Sequence, residues 1–358
     1  MRIKSLKINN LRNISGASLV PHPDLNILHG DNGAGKTGVI EALVVLGKGR
    51  SFRSAQIAPL IGPDSPAFLV MAETVMPDQV THRLGLERSR SHWNARIDGQ
   101  DVAQVSELAS YLPFTLMEPN SHQLINGSPD VRRRFLDWGV FHVKHEFLSD
   151  WRNYSLAVRQ RNAALRIGDE RVAQSLDTQI IRYGTQVDAA RRSQTEALDQ
   201  MVRGLGDAFM PAGLEVHLEY DPGWRGDSFE QALADAWRRD LDRGATNVGP
   251  HRAELHLSVG GKPARDRLSR GEQKLLAAAL LLAQARILAT RQIPLLLLDD
   301  LASEFDSERL AIVLEAGRAM GAQLWVTGTE AADYLAIAPG EHRRFHVKQG
   351  RIEAEQSG

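Results

Sequence analysis

Apolar and polar positions follow two rhythms along the chain, and the change between them divides it. Residues 2–8 and 25–28 have the short apolar pattern of strands, with a turn over residues 9–13. Val39, Ile40, Leu43 and Val44 recur at helical spacing, which predicts a helix over residues 38–46. A basic loop over residues 48–53 follows. Antiparallel strands are expected at residues 68–75, 83–87 and 94–97, with Asp98-Gly99 as a hairpin turn before Val102. A short helix over residues 105–111 and a strand over residues 114–117 close this part.

The rhythm becomes helical beyond Glu118-Pro119-Asn120. One helix or a kinked pair is expected over residues 130–166 and a long helix over residues 170–203, with Gly168-Asp169 turning between them. Two antiparallel helices of this length form an arm or second lobe and are too short for a coiled-coil rod. A strand at residues 215–220 and a helix at residues 229–241 follow. Strand and helix then alternate again: strand 255–259, helix 271–290, buried strand 295–298, helix 307–320, strand 323–327 and a hairpin at Gln349-Gly350. Helices alternating with short apolar strands predict an α/β fold with a mostly parallel sheet. The expected organisation is a head of residues 1–118 and 247–358, interrupted by a helical arm over residues 119–246. The chain has neither repeats nor low-complexity tracts.

Composition narrows the class. The 358 residues are 42% hydrophobic and 24% charged, as in ordinary globular proteins. Zero cysteines exclude a disulfide framework and thiolate zinc sites, which suits a reducing, cytoplasmic setting. Met1-Arg2-Ile3-Lys4 opens no signal-peptide apolar region, and the longest apolar run, residues 275–283, is too short to span a bilayer. A net charge of −1 means that any nucleic-acid site is a local patch.

The chemistry is concentrated in Gly30-Asp31-Asn32-Gly33-Ala34-Gly35-Lys36-Thr37, which fits the phosphate-binding pattern G-x-x-x-x-G-K-[ST] between a strand and a helix. Glycines let the backbone wrap a phosphate, successive N–H groups donate to it, and the helix N-terminus adds a positive dipole end. Lys36 is then expected on the β- and γ-phosphates of ATP and Thr37 on Mg²⁺. Leu295-Leu296-Leu297-Leu298-Asp299-Asp300 is an apolar strand ending in two carboxylates. Asp299 is the candidate for the Mg²⁺ shell and Asp300 for polarising an attacking water; an aspartate pair capping a turn is the plain alternative. Upstream, Ser269-x-x-Glu272 in Leu268-Ser269-Arg270-Gly271-Glu272-Gln273 is a capping box that starts a helix, and a capped helix N-terminus is also an anion site.

In this order the loop, the Ser269 motif, the acidic strand and Leu301-Ala302-Ser303-Glu304-Phe305-Asp306 resemble the ABC-type ATPase heads of the SMC group. More narrowly, the chain resembles the bacterial RecF family, on Asn10-Leu11-Arg12-Asn13, Gly49-Arg50-Ser51-Phe52-Arg53 and Asn126-Gly127-Ser128-Pro129 as well. Arg132-Arg133-Arg134-Phe135-Leu136-Asp137 and Gly249-Pro250-His251-Arg252 add to it, so the likeness covers essentially the whole chain. It implies a phosphate-loop ABC-type ATPase head with a mixed sheet and helices, a helical lobe in place of the SMC coiled coil, and nucleotide contacts from Arg12, Asn13, Ser269 and Gly271. It further implies ATP-dependent homodimers, DNA binding, slow DNA-stimulated ATP hydrolysis, and recombinase loading at single-strand gaps with RecR and RecO proteins. Two departures stand out. Glu118-Pro119-Asn120 replaces the glutamine that SMC-type heads carry after this strand, and Trp325-Val326-Thr327-Gly328-Thr329 lacks the histidine of transporter ATPases.

Residues 131–167 hold eight Lys or Arg against three Asp or Glu, interleaved with Trp138, Trp151 and Tyr154. Arg132 and Arg133 there are candidate DNA contacts, with a solvated face as the plain alternative; Arg50 and Arg53 are candidates for DNA or nucleotide contact, with an ordinary loop as theirs. His142, His145 and Glu146 have metal-compatible spacing but no third ligand at a recognisable distance, which favours a surface helix. A transporter-driving ATPase and an ATP-sensing scaffold are the rival functions. The long helical insertion disfavours the first.

Overall fold

A computed structural model describes residues 1–144, 146–210, 214–338 and 340–355, with no side-chain description for residues 206–208. The chain divides into two compact units. One comprises Met1–Ser121 and Gln284–Gly358, the other His122–Ala283.

The first unit holds two six-stranded sheets. The first runs in the order Ile14–Leu19, Arg2–Leu11, Ala67–Val75, Thr81–Ser89, Trp93–Ile97, Gln100–Asp101, and every pair is antiparallel. Asp98 and Gly99 both have positive φ, as the expected hairpin turn requires. The strand at Ile14–Leu19 is absent from the sequence expectation, because its ISGASL pattern buries only its two ends.

The second sheet runs Arg351–Ala354, His342–Lys348, Leu25–His29, Leu324–Gly328, Leu295–Leu298, Phe114–Met117. All its pairs are parallel except the terminal hairpin, so the sheet is mixed, as the resemblance to ABC-type heads implies. The strands Leu324–Gly328 and Leu295–Leu298 are fully buried, and Leu295 to Leu298 are each 0% exposed. Burying a leucine stabilises by about 1.5–3 kcal/mol, which fixes the strand and whatever follows it.

The register positions the chemistry. Gly328 pairs with His29, and Leu298 with both Val326 and Met117. The carboxyl ends of four strands therefore lie along one edge, where open α/β sheets bind ligands. The helix Lys36–Lys48 leaves that edge and contacts both sheets. Being sandwiched, it buries nearly every residue instead of the single stripe its pattern suggested.

The second unit is built on the helices Pro129–Val143, Phe147–Arg166 and Asp177–Phe209, with a three-stranded antiparallel sheet of Lys262–Pro263, Glu254–Val259 and Val216–Asp221. The stretch expected as one helix or a kinked pair is the pair Pro129–Val143 and Phe147–Arg166, while the single long helix expected after it is divided into Glu170–Ser175 and Asp177–Phe209. Phe147, Tyr154, Ile180, Val187 and Phe229 belong to one of the unit's hydrophobic core clusters. Arg161 and Arg191 are almost completely buried, at 0% and 2% exposure. Arg161 contacts Asp177 and Asp240, both at 2.7 Å, and Arg191 contacts Asp137 at 2.7 Å. The expected arm boundary at 246/247 contrasts with a unit boundary at 283/284. The Glu254–Val259 strand pairs with Val216–Asp221, which holds this stretch in the second unit.

Candidate functional site

The phosphate-loop residues lie where the sheet edge places them. Gly30, Gly33 and Gly35 all have positive φ, the region that glycine enters without a Cβ clash. At Gly30 a Cβ would collide with the Val347 carbonyl, so the turn accepts no side chain. Asp31, Asn32 and Gly33 are exposed at the rim, while Ala34 is buried and its carbonyl accepts from Asn13 Nδ2 at 3.1 Å.

Lys36 is 7% exposed, and its Nζ donates to the carbonyls of Gly30 at 2.6 Å and Asp31 at 3.0 Å. Among the described residues it has no carboxylate partner. A nearly buried ammonium with only carbonyl partners is an electrostatic invitation to an anion. The glycine cradle and this cation fit a nucleotide's phosphates.

Thr37 Oγ1 donates to Asp299 Oδ1 at 3.0 Å, which joins the loop to the acidic strand. Thr327 donates to the same oxygen at 2.8 Å and accepts the Asp300 N–H at 2.9 Å. Asp299 is 5% exposed, and burial raises its pKa against the opposing pull of the two threonine hydrogen bonds. Asp300 adopts a left-handed φ of 54°, and its Oδ2 accepts from Ser303 Oγ at 3.0 Å. No cluster of three His, Asp or Glu among the described residues forms a metal cage. Thr37 and Asp299 are hard oxygen donors of the kind Mg²⁺ takes together with phosphate oxygens and water.

Arg12, Asn13, Arg53, Asp300 and Thr327 line one open cleft of about 620 Å³ with the loop. Arg12 Nε and Nη2 grip Glu41 at 2.8 and 2.7 Å, and its Nη1 donates to the Pro59 carbonyl at 2.9 Å. Glu41 also accepts from Ser51 Oγ. Glu118 follows the neighbouring strand. Burial, then the negative charge of Asp299, pushes its carboxyl up to about 7, against Arg53 and Lys48.

Ser269 and Gly271 belong to the other compact unit and are exposed. Ser269 N and Oγ donate to Glu272 Oε2 at 2.8 and 2.7 Å, so the capping box is formed. Gln273 Nε2 donates to the Leu268 carbonyl at 3.0 Å, and its Oε1 accepts from Asn126 at 2.9 Å.

Two candidate DNA contacts have structural work instead. Arg132 is 8% exposed, forks onto both Glu254 oxygens at 2.7 and 2.8 Å, and donates to the Gly127 carbonyl at 2.8 Å. Arg133 Nη1 donates to the Ala253 carbonyl at 2.8 Å, and burial lowers its pKa. Neither presents a free fork to a phosphate backbone. Arg50 is exposed, and Arg53 is exposed on the phosphate cleft. His142, expected on a surface helix, is buried edge-on against Trp138 with ring centroids 4.4 Å apart; His145 lies outside the described residues.

Sequence reasoning missed Glu41 and Thr327 as organisers of the site. Glu41 carried a signal, being the one charge within Val39-Ile40-Glu41-Ala42-Leu43 and 0% exposed. Thr327 carried none, because it sits in a fully buried strand.

Comparison with known proteins agrees with this architecture. The family described as "RecF/RecN/SMC N terminal domain" matches residues 2–338. The "DNA replication and repair protein RecF" of Stenotrophomonas maltophilia is 41% identical over 99% of this chain and 100% of that one. Its counterpart from Xanthomonas axonopodis pv. citri is 40% identical over 98% of each. The solved recombination mediator protein RecF-ATP of the RecFOR pathway has the same fold, with a TM-score of 0.89 at 22% identity over 99% of this chain and 98% of that one. Near-complete coverage at this identity, together with a phosphate loop joined to its acidic strand, establishes that the chain belongs to the RecF family of SMC-like ABC-type ATPases.

Proposed function

We propose that the chain binds and hydrolyses ATP to control its engagement of DNA in recombinational repair and replication. The observation that carries this reading is the Thr37–Asp299–Thr327 hydrogen-bond chain, which ties the phosphate loop to the carboxylate strand. Backbone N–H groups of residues 33–37 and the Lys36 ammonium bind the phosphates. Thr37 and Asp299 would hold Mg²⁺, which when bound would supply charge neutralisation to the nucleotide's phosphates. Asp300 orients the attacking water and takes its proton. Hydrolysis is slow, because Asp300 is held by Ser303 in a left-handed backbone conformation and is shorter than a glutamate. Arg53 supplies a further cation at the cleft, which favours the nucleotide contact over the DNA contact for it.

The relatives named for DNA replication and repair support the cellular role, and the solved recombination mediator with ATP supports the cofactor. In this reading ATP joins two copies, each offering its Ser269 helix to the partner's nucleotide. The dimer then binds gapped DNA, which stimulates hydrolysis, and acts with RecO- and RecR-type proteins to place recombinase. The transporter alternative has no support in these relatives, and no described helix is long and apolar enough to cross a membrane.

The test is filter binding of gapped DNA with and without ATP, beside an ATP turnover measurement. ATP should strengthen DNA binding, and DNA should raise turnover. Binding indifferent to ATP removes the gating, and zero turnover leaves only an ATP-sensing scaffold.

A further inference from the structure

Gly249-Pro250-His251-Arg252 takes no part in the nucleotide site, yet the second unit builds a rigid mount around it. The Gly249 N–H donates to the Gly223 carbonyl at 3.1 Å. Arg191 Nη1 donates to the Pro250 carbonyl at 2.6 Å, and Arg133 holds the Ala253 carbonyl just beyond. His251 Nε2 donates to the Thr246 carbonyl at 3.0 Å, which leaves Nδ1 to accept from the Tyr154 hydroxyl at 2.6 Å. A Cβ at Gly223 would meet backbone atoms of Gly249, Arg252 and Ala253 at 2.5 to 2.7 Å, so the two turns are pressed together. Within the motif only Arg252 is exposed.

Arg252 lines an open cleft of about 500 Å³ together with Trp224, Arg225 and Arg239. Asp221 and Asp235 also line it, but both carboxylates are engaged locally. Asp221 accepts the Gly223 N–H at 2.8 Å, and Asp235 accepts from Gln231 Nε2 at 2.7 Å. Among the described residues, none of the three guanidinium groups forms a hydrogen bond or an ion pair. Trp224 is half-buried and stacks on Phe229 with centroids 4.6 Å apart, which seats the indole on the unit's core.

We propose that this cleft is a contact site for an unpaired DNA strand, with Arg225, Arg239 and Arg252 on its phosphates and Trp224 under one base. The proposal rests on the DNA-binding reading above and gives it an address. Guanidinium forks match phosphate oxygens, and indole faces stack bases of any sequence. A duplex keeps its base faces covered by neighbouring pairs, so a seated indole meets one only where the strand is single.

The experiment uses the full chain with ATP and fluorescence anisotropy on a labelled single-stranded oligonucleotide and a blunt duplex, over a range of salt. Arg225→Ser, Arg239→Ser and Arg252→Ser together should weaken single-strand binding by at least about tenfold. They should also flatten the log–log salt slope by about two, since each single-strand phosphate contact contributes about 0.7. Trp224→Leu should cost about tenfold on the single strand and nothing on the duplex. In an independent measurement on unmodified protein, a 5-iodouracil oligonucleotide should photo-crosslink to the peptide containing Trp224. Wild-type affinity and slope in the triple variant would overturn the cleft while leaving DNA binding intact, as would crosslinks mapping only elsewhere. Equal losses on both DNAs would overturn the single-strand assignment. A wild-type chain that binds neither DNA would sink the DNA-binding reading itself.

Discussion

Thr37 and Asp299 are 262 positions apart, and the threonine hydroxyl donates to the carboxylate at 3.0 Å. The parallel pairing of Leu25–His29 and Leu295–Leu298 with the strand Leu324–Gly328 between them makes this meeting unavoidable. A shift of register in either strand would separate the two oxygens and break the hydrogen bond that joins the phosphate loop to the acidic strand.

Lys36→Ala should weaken ATP binding about ten- to a hundredfold, the usual value of a hydrogen bond to a charged group. The variant loses the one ammonium buried at the loop. Calorimetric titration with ATP measures it, and an unchanged affinity would remove the loop from the nucleotide site.

Asp300→Asn should retain ATP binding while turnover falls by about 10²–10⁴, as for a lost general base. If turnover persists, Glu118 is the next candidate, because its carboxyl is pushed up to about 7 by burial and by Asp299. Activity would then rise with pH through about 7, and Glu118→Gln would erase that limb.

Ser269→Arg should bind ATP as a monomer and neither dimerise nor hydrolyse it. Mixed with Lys36→Ala, it should regain part of the activity. One site of that heterodimer combines an intact loop with an intact Ser269 from the other copy, and the second site is doubly broken. Two inactive proteins that stay inactive when mixed, or a Ser269→Arg chain that dimerises and turns over normally, would exclude the shared site.

Arg132→Ala should destabilise the second unit by about 3–5 kcal/mol, because it strands Glu254 without its buried partner. Denaturant unfolding measures this loss. Folded variant protein should keep its DNA affinity; a selective loss of DNA binding with normal stability would return Arg132 to the DNA contacts.

The second unit should loosen in acid through His251. Burial lowers its pKa from 6.5 to about 4, so the fold favours the neutral ring. The stability this contributes is complete above pH 6.5 and is lost as pH falls towards 4, on the order of 3 kcal/mol in all. Urea midpoints recorded against pH should show the decline in wild type and a shallower one in His251→Gln. Identical curves would place the acid sensitivity elsewhere.

Local chemistry was legible wherever neighbours in sequence are neighbours in space. The phosphate loop with its flanking strand and helix, the Ser269 capping box, the Asp98-Gly99 turn and the apolar strand before Asp299 each depend on a few consecutive residues. Within such a span, side-chain size, backbone freedom and apolar spacing decide the outcome, so the nucleotide-binding character of the chain and its alternation of strands and helices could be read directly.

Partnership over long separations could not. An arginine has the same letter whether it meets a phosphate or a buried carboxylate, and only folding brought Glu254 to Arg132, 122 positions away. Thr327 became an organiser of both aspartates because register placed it beside them, and Glu41 drew Arg12 off the surface pattern. Pairing with Val216–Asp221 likewise held Glu254–Val259 in the second unit. By itself the sequence determined which groups could do chemistry; the tertiary structure decided which of them remain free to do it, because burial makes an unpaired charge costly and the fold alone selects its partner.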